Sequence, residues 1–120
     1  MTTACDLAKY ITEQRGSMSA MKLQKLVYYT HAWHLVATDG DPLLDEPIEA
    51  FEHGPLVRGL WYKHRGKTTV TPAGFADGDS DAVSPQVREL VSAVLAKYGD
   101  FTAYQLRART HAETPWRYAA

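Results

Sequence analysis

The chain of 120 residues contains 13 basic and 14 acidic side chains, 45% hydrophobic residues and one cysteine. This length suits a single domain over residues 1–120, whose folding would remove roughly two-thirds of the chain's surface from water. The net charge of -1 gives no bulk attraction to nucleic acid, and a lone cysteine excludes an intramolecular disulfide. No secretory leader and no apolar stretch of roughly 20 residues is visible, so we expect no membrane span and a cytoplasmic location.

The first predicted helix begins after Thr3 and ends near Gly16. Thr3 and Asp6 have the spacing of a capping box. Apolar residues then recur on one helical face: Ala4, Leu7, Ala8 and Ile11. Cys5 has no histidine or basic neighbour in sequence that indicates an activated thiolate, so we interpret it as a small, partly buried residue.

The central predicted helix, from about Ser19 to Thr38, has the densest run of large apolar and aromatic residues. Ser19 is a good N-cap, while Gly40 and Pro42 favour a stop. The apolar stripe consists of Leu23, Leu26, Val27, Trp33, Val36 and Ala37, widened by Tyr29, Ala32 and Leu35. A helix this apolar must be covered on most sides, so we expect the rest of the chain to pack around it.

Two histidines of this helix, His31 and His34, are three residues apart and so lie near one face. No acidic or cysteine ligand accompanies them within a turn. We therefore interpret them as partly buried, hydrogen-bonded core residues and predict no metal site.

The middle of the chain is expected to contain the only β-structure. Ile48 to His53 alternates like a short strand, and Lys67 to Thr71 is rich in β-branched residues that could pair with it. Between them, Gly54-Pro55 is interpreted as a helix entry with the proline at the first helical position. Leu56, Val57, Leu60 and Trp61 follow at helical spacing, and Gly66 ends this helix.

The segment Pro72 to Ala82 is predicted to be the least structured. Its acidic run from Asp77 to Asp81 imitates half of a calcium loop. However, Ala82 stands where such a loop needs glycine, and Arg88 stands where it needs a bidentate glutamate. We predict a plain solvated loop, with no metal and no cofactor.

Two further helices complete the predicted fold. Ser84-Pro85 begins one that continues to Gly99, and Asp100 or Thr102 caps the last. The predicted fold class is therefore mainly α: a compact single helical domain around the central helix, with a small two-stranded β element.

Two histidine-containing segments are candidates for chemical sites. His53-Gly54-Pro55 precedes a predicted helix N-terminus and could hold an anion, or could simply form a turn. The segment from Thr110 to Trp116 combines a hydroxyl, an imidazole and a carboxylate, but no nucleophile motif accompanies it. Pro115 and Trp116 are better interpreted as a structural lock that ends the helix and closes the core. We predict no catalytic residues.

Three sequence blocks, in this order and spacing, resemble the Panacea antitoxin domain of the SocA-like family, which includes phage-associated GepA-like proteins. The family-motif residues are Leu23, Gln24, Lys25, Leu26, Tyr28, Tyr29, His53, Gly54, Pro55, Thr110, His111, Glu113, Pro115 and Trp116. The resemblance implies a non-catalytic antitoxin that binds a protein toxin, usually encoded by an adjacent gene. It also offers delivery of the toxin to the ClpXP protease as a mechanism, as in the family member SocA.

Two alternatives from other functional classes remain open at this point. A nucleic-acid-binding regulator would use the basic cluster Arg58, Lys63, Arg65 and Lys67, although most such clusters are solvated faces. A small enzyme would use His53, His111 and Glu113 as acid and base. The sequence leaves the oligomeric state open.

We also expect the His53-Gly54-Pro55 segment and the segment from Thr110 to Trp116 to lie side by side. Both combine a histidine with a proline at a helix boundary, where backbone groups need side-chain partners. Trp116 would then pack against the central helix around Leu26 and Tyr29. We favour a structural role for this junction over a direct role in partner binding.

Overall fold

The computed structural model describes residues 2–44, 46, 48–51 and 54–112. The helices are α1 (Ala4–Arg15), α2 (Ala20–Ala37), α3 (Arg58–His64), α4 (Pro85–Tyr98) and α5 (Ala103–Ala112). The strands are β1 (Met18–Ser19), β2 (Ile48–Phe51), β3 (Gly54–Val57) and β4 (Thr69–Val70). Two short 3-10 turns, Pro72–Phe75 and Ser80–Ala82, precede α4. The predicted fold class, mainly α with a minor β component, is confirmed.

Helix α2 is the centre of the fold, as predicted. Its N-cap is Ser19, whose hydroxyl accepts a hydrogen bond from the backbone N–H of Lys22 at 3.1 Å. Every residue from Leu23 to Ala32 is buried, because α1, α4, α5 and β3 all pack against this helix. A helix buried on all sides no longer has a polar face. The polar side chains Gln24 and Lys25 are therefore buried among the apolar ones.

Aromatic side chains hold α4 against α2. The rings of Tyr29 and Tyr98 are stacked, with centroids 4.0 Å apart and planes 17° from parallel. Tyr28 meets Tyr29 edge to face, and Phe101 meets Tyr98 in the same way. The two edge-to-face contacts have the geometry that aromatic pairs prefer in protein cores.

Helix α1 begins with the predicted capping box. The Thr3 hydroxyl accepts from the Asp6 N–H, and the Asp6 carboxylate accepts from the Thr3 N–H, each at 3.0 Å. The same carboxylate accepts from the N–H of Asp79 at 2.8 Å, which ties the loop before α4 to the start of α1. Burial acts to raise the pKa of the Asp6 carboxyl, but the hydrogen bonds from Thr3 and Asp79 lower it below its ordinary value.

The basic side chains Arg15 and Lys22 both donate to the carbonyl oxygen of Gly99. That carbonyl lies at the C-terminal end of α4, where the helix dipole is negative and the last carbonyls lack helical partners. The end of α1 and the first turn of α2 therefore meet the end of α4 at one charged junction.

The prediction for Pro72 to Ala82 was wrong about its structure. Instead of the least structured part of the chain, the segment contains the two 3-10 turns, and Phe75 at the end of the first turn is buried. It is held along α1 by the contact between Asp79 and Asp6 and by the close approach of Gly78 to the backbone of Cys5.

The predicted strand pairing was also wrong. The β-branched segment containing β4 pairs with β1, with Met18 opposite Val70, and not with β2. Strand β2 pairs instead with β3, so the described part of the chain contains two antiparallel ribbons of two strands. Only residues 52 and 53 separate β2 from β3, and closing so short a connection costs less entropy than closing a longer one.

Gly54-Pro55 is consequently not a helix entry. Both residues belong to β3, and the helix begins only at Arg58. A two-stranded ribbon consists of edge strands, where a proline is tolerated because its missing N–H need not complete a ladder. Trp61, which was predicted to face the core, is 38% exposed, because Leu60 and His64 form the buried side of this helix. No helix within the described residues has the length and apolar character needed to cross a bilayer.

The contact between Gly78 and Cys5 generates a stability prediction. A Cβ atom at Gly78 would lie 2.5 Å from the Cys5 carbonyl oxygen, whereas a Cβ at Gly74 would meet nothing within 4 Å. We expect Gly78→Ala to lower the free energy of unfolding by about 1–3 kcal/mol, because backbone must shift to relieve the clash. Gly74→Ala should leave it unchanged or raise it by up to about 1 kcal/mol. Urea denaturation checks this, and equal effects of the two substitutions would contradict the packing of the loop on α1.

Candidate partner-binding site

The buried amide of Gln24 joins the first two family-motif blocks. Its Oε1 accepts from the backbone N–H of Val57 at 2.8 Å, and its Nε2 donates to the Val57 carbonyl at 3.2 Å. Nε2 also lies 2.9 Å from Nε2 of His64. The Gln24 side chain therefore bonds to β3 as a neighbouring strand would, and it reaches α3 as well.

This geometry fixes the state of His64. An amide NH₂ group can only donate, so Nε2 of His64 must accept, and the ring proton resides on Nδ1. His64 is 5% exposed, and burial lowers the pKa of its imidazole below the ordinary value. The neutral ring is thus the form that completes the junction of Gln24, Val57 and His64.

The other described motif residues of α2 belong to the core. Leu23, Leu26, Tyr28 and Tyr29 are fully buried, and Lys25 is 1% exposed. Their role in this structure is to set the position of α2 against its neighbours. Sequence reasoning grouped Gln24 with them but did not predict its bonds to Val57, which lies 33 residues away. Gln24 stands between Lys22 and Lys25, so the local sequence carries no signal that distinguishes it from other polar residues.

The second and third motif blocks are described only in part. Gly54 and Pro55 lie in β3, while Thr110 and His111 lie in the last turn of α5. Helix α5 packs against β3, and Leu106 on α5 is buried. The residues His53, Glu113, Pro115 and Trp116 lie outside the described residues. The side-by-side arrangement of the two histidine segments, and any enzyme built on them, stays untested.

The two histidines of α2 have different environments. His34 is bonded through Nδ1 to the carbonyl oxygen of Asp41 at 2.9 Å. His31 is buried, and within the described part of the chain its Nδ1 has no hydrogen-bond partner. Burial, followed by the nearby His34, lowers the pKa of His31. The described residues contain no group of three or more His, Cys, Asp or Glu side chains that could hold a metal ion.

Cys5 lines a cavity of about 450 Å³ together with Lys63 and Glu46. Burial raises the pKa of its thiol, and the opposing effect of Lys63 is smaller. The thiol is therefore held in its protonated, weakly nucleophilic form, as expected from the sequence.

The most exposed aromatic pair of α3 lies on the outer side of this helix. Tyr62 is 60% exposed, and its ring meets that of Trp61 edge to face at 5.3 Å between centroids. Arg58 and Leu56 join these two rings in lining a surface cleft of about 350 Å³. The guanidinium of Arg65 lies over the Trp61 ring, 5.3 Å from its centroid. These five residues are termed the α3 face below.

Carboxylates from other parts of the fold already contact the basic side chains of this region. Arg58 forms an ion pair with Glu49 of β2 at 2.7 Å, and Lys63 forms one with Asp77. The Glu49 carboxylate raises the pKa of Arg58, so its guanidinium is charged throughout the physiological range. Arg65 and Lys67 are exposed and have no ion pair with any described residue.

The fold and this surface define a small, mainly helical protein that exposes an aromatic and basic face on α3. The chain belongs to the SocA-like antitoxin family that carries the Panacea domain, because the model of that family matches residues 23–117. It matches no curated protein and no solved structure.

The Gln24 junction generates a second stability prediction. Gln24→Leu preserves the side-chain volume but leaves the buried N–H and C=O of Val57 without their partner. We expect it to lower the free energy of unfolding by about 2–4 kcal/mol, the cost of unpaired buried polar groups. The matched control Gln86→Leu, at an exposed position of α4, should change it by less than about 0.5 kcal/mol. Chemical denaturation of the two variants measures the difference, and similar values for both would show that the junction adds little.

The two buried imidazoles generate a pH prediction. Burial lowers the pKa of His31 and His64 in the folded state, so the unfolded chain binds more protons below its own histidine pKa of about 6.5. The free energy of unfolding should therefore be flat above about pH 7 and fall as the pH drops from about 6.5 towards 5. The Asp6 carboxyl affects the free energy of unfolding in a separate pH range. Its stabilising contribution is lost only as the pH falls below its ordinary pKa of 3.8.

The assignment to His31 can be checked with His31→Leu. This change replaces a buried imidazole without a described Nδ1 partner by an apolar side chain. At pH 7 we expect the free energy of unfolding to be unchanged or slightly higher than that of the unsubstituted protein. Between pH 7 and pH 5 it should fall less steeply than that of the unsubstituted protein. Denaturation curves across this range measure it, and a slope equal to that of the unsubstituted protein would contradict the assignment.

Proposed function

We propose that this protein is an antitoxin that neutralises a protein toxin by direct binding. The match of the SocA-like antitoxin family to residues 23–117 carries the proposal. Support also comes from the exposed Trp61 and Tyr62 on a helix that the buried Gln24 junction fixes in place. Tryptophan, tyrosine and arginine are the side chains that most often dominate binding energy at protein interfaces.

The toxin in this proposal is encoded by a gene adjacent to the antitoxin gene, and both proteins act in the cytoplasm. The antitoxin is a single domain without catalytic activity, and neutralisation arises from occupation of the toxin's surface. Delivery of the toxin to the ClpXP protease is the alternative route, which the experiment below separates from direct blocking.

Co-expression in a bacterial host tests the proposal. The adjacent reading frame is induced alone and together with this protein, in one host that contains ClpXP and in one that lacks it. We expect growth arrest with the frame alone and restored growth on co-expression in both hosts. If growth is restored only in the host that contains ClpXP, neutralisation occurs by delivery of the toxin to the protease and not by direct blocking. The antitoxin function would be contradicted if the product of the adjacent reading frame does not arrest growth, or if growth arrest persists on co-expression.

A further inference from the structure

The α3 face combines apolar area with a cleft, which are the two physical requirements for anchoring a side chain from another molecule. Trp61 and Tyr62 are held edge to face at 5.3 Å, so neither ring needs to reorganise extensively to receive a partner. A cleft of about 350 Å³ lies against them. This volume is in the lower part of the range of about 300–1,000 Å³ found for ligand pockets and is sufficient for one or two apolar side chains.

The stretch of sequence that contains this face is basic, unlike the rest of the chain. Residues 54–76 contain four basic side chains and no acidic one, whereas the remainder contains nine basic and fourteen acidic residues. The four are Arg58, Lys63, Arg65 and Lys67. Carboxylates from outside this stretch pair with Arg58 and Lys63, which leaves Arg65 and Lys67 as its cations without an ion pair to a described residue.

The structure also shows how a carboxylate is received here. Glu49 contacts Arg58 and Asp77 contacts Lys63, so two carboxylates from other elements already occupy two of the four basic positions. Arg65 lies over Trp61 and has no carboxylate partner among the described residues. The position at Arg65 is thus available for a carboxylate that comes from another molecule, directly beside the aromatic pair.

A protein segment fits these features better than a nucleic acid. Two of the four cations are already neutralised within the fold, which leaves few phosphate contacts. The structure extends only 32 × 29 × 25 Å, so a polyanion longer than a few nucleotides would also meet the acidic remainder within a few Debye lengths. A short acidic segment with an apolar anchor avoids that repulsion.

We propose that the α3 face docks an acidic segment of a partner protein, with an aromatic or aliphatic side chain in the cleft beside Tyr62 and a carboxylate on Arg65. The chemistry of this docking site follows from the contacts and charges of the described residues. Identification of the partner as the toxin rests on the proposed function.

A random peptide display library tests the chemistry without knowledge of the partner. The immobilised probe is the full chain, and enriched peptides are synthesised with a fluorophore and titrated by anisotropy. We expect enriched peptides to combine aspartate or glutamate with a neighbouring aromatic or aliphatic residue, and their affinity to fall with added salt. No enrichment, or enrichment of peptides without acidic residues, would overturn the proposal.

Variants locate the binding on the α3 face. Arg65→Glu and Tyr62→Ala alter exposed side chains, so both should retain the unsubstituted melting temperature while raising Kd by about tenfold or more. The matched control is Lys97→Glu, which reverses an exposed cation of α4 that lies over the ring of Trp33 of α2. It should change Kd by less than about twofold. Equal effects of Arg65→Glu and Lys97→Glu would overturn the assignment.

The same variants separate this inference from the antitoxin function. If the unsubstituted protein and Arg65→Glu both neutralise the product of the adjacent frame, the toxin does not dock at Arg65: the identification of the partner as the toxin is wrong and the antitoxin function stands. If neither neutralises it but peptide binding is lost in Arg65→Glu, the docking site stands and the antitoxin function is wrong. If a fluorescent single-stranded oligonucleotide binds the unsubstituted protein and does not bind Arg65→Glu, the choice of a protein partner is wrong.

Discussion

The arrangement of the middle of this chain depends on one buried side-chain amide. Gln24 satisfies both backbone groups of Val57 and contacts His64, so a residue of the central helix holds a strand and the helix that follows it. Breaking such a set would leave buried donors and acceptors unpaired, which costs more than an average hydrogen bond contributes. This asymmetry makes the junction specific, since no apolar side chain at position 24 could hold β3 and α3 in the same register.

The position of the candidate binding surface follows from that junction. His64 at the end of α3 faces inward to Gln24, and Leu60, one turn earlier, is also buried. Residues on the opposite side of so short a helix are forced outward, which exposes Trp61 and Tyr62. Arg58 and Arg65 flank them, one paired with Glu49 and one over the indole ring. The exposed aromatic pair is thus a consequence of how the buried side is held.

The rest of the fold protects this arrangement through polar contacts at helix ends. Asp6 caps α1 and also binds the loop before α4, while Arg15 and Lys22 meet on the carbonyl of Gly99 at the end of α4. Each contact satisfies a backbone group that a helix end leaves without a partner. The stacked rings of Tyr29 and Tyr98 then fix α4 against the central helix. These contacts give a stable body that positions the exposed residues of the α3 face.

The sequence by itself determined those features that depend on residues close together in the chain. The capping box of Thr3 and Asp6, the N-cap Ser19 and the Ser84-Pro85 start of α4 act within one or two turns, so their patterns predicted the helices correctly. The tertiary structure alone decided the strand partners, the exposure of Trp61 and the bond between Gln24 and Val57. The competing strand pairings have similar local propensities. The short connection between β2 and β3 and the contact of Gln24 with Val57 favour the pairing that the structure shows.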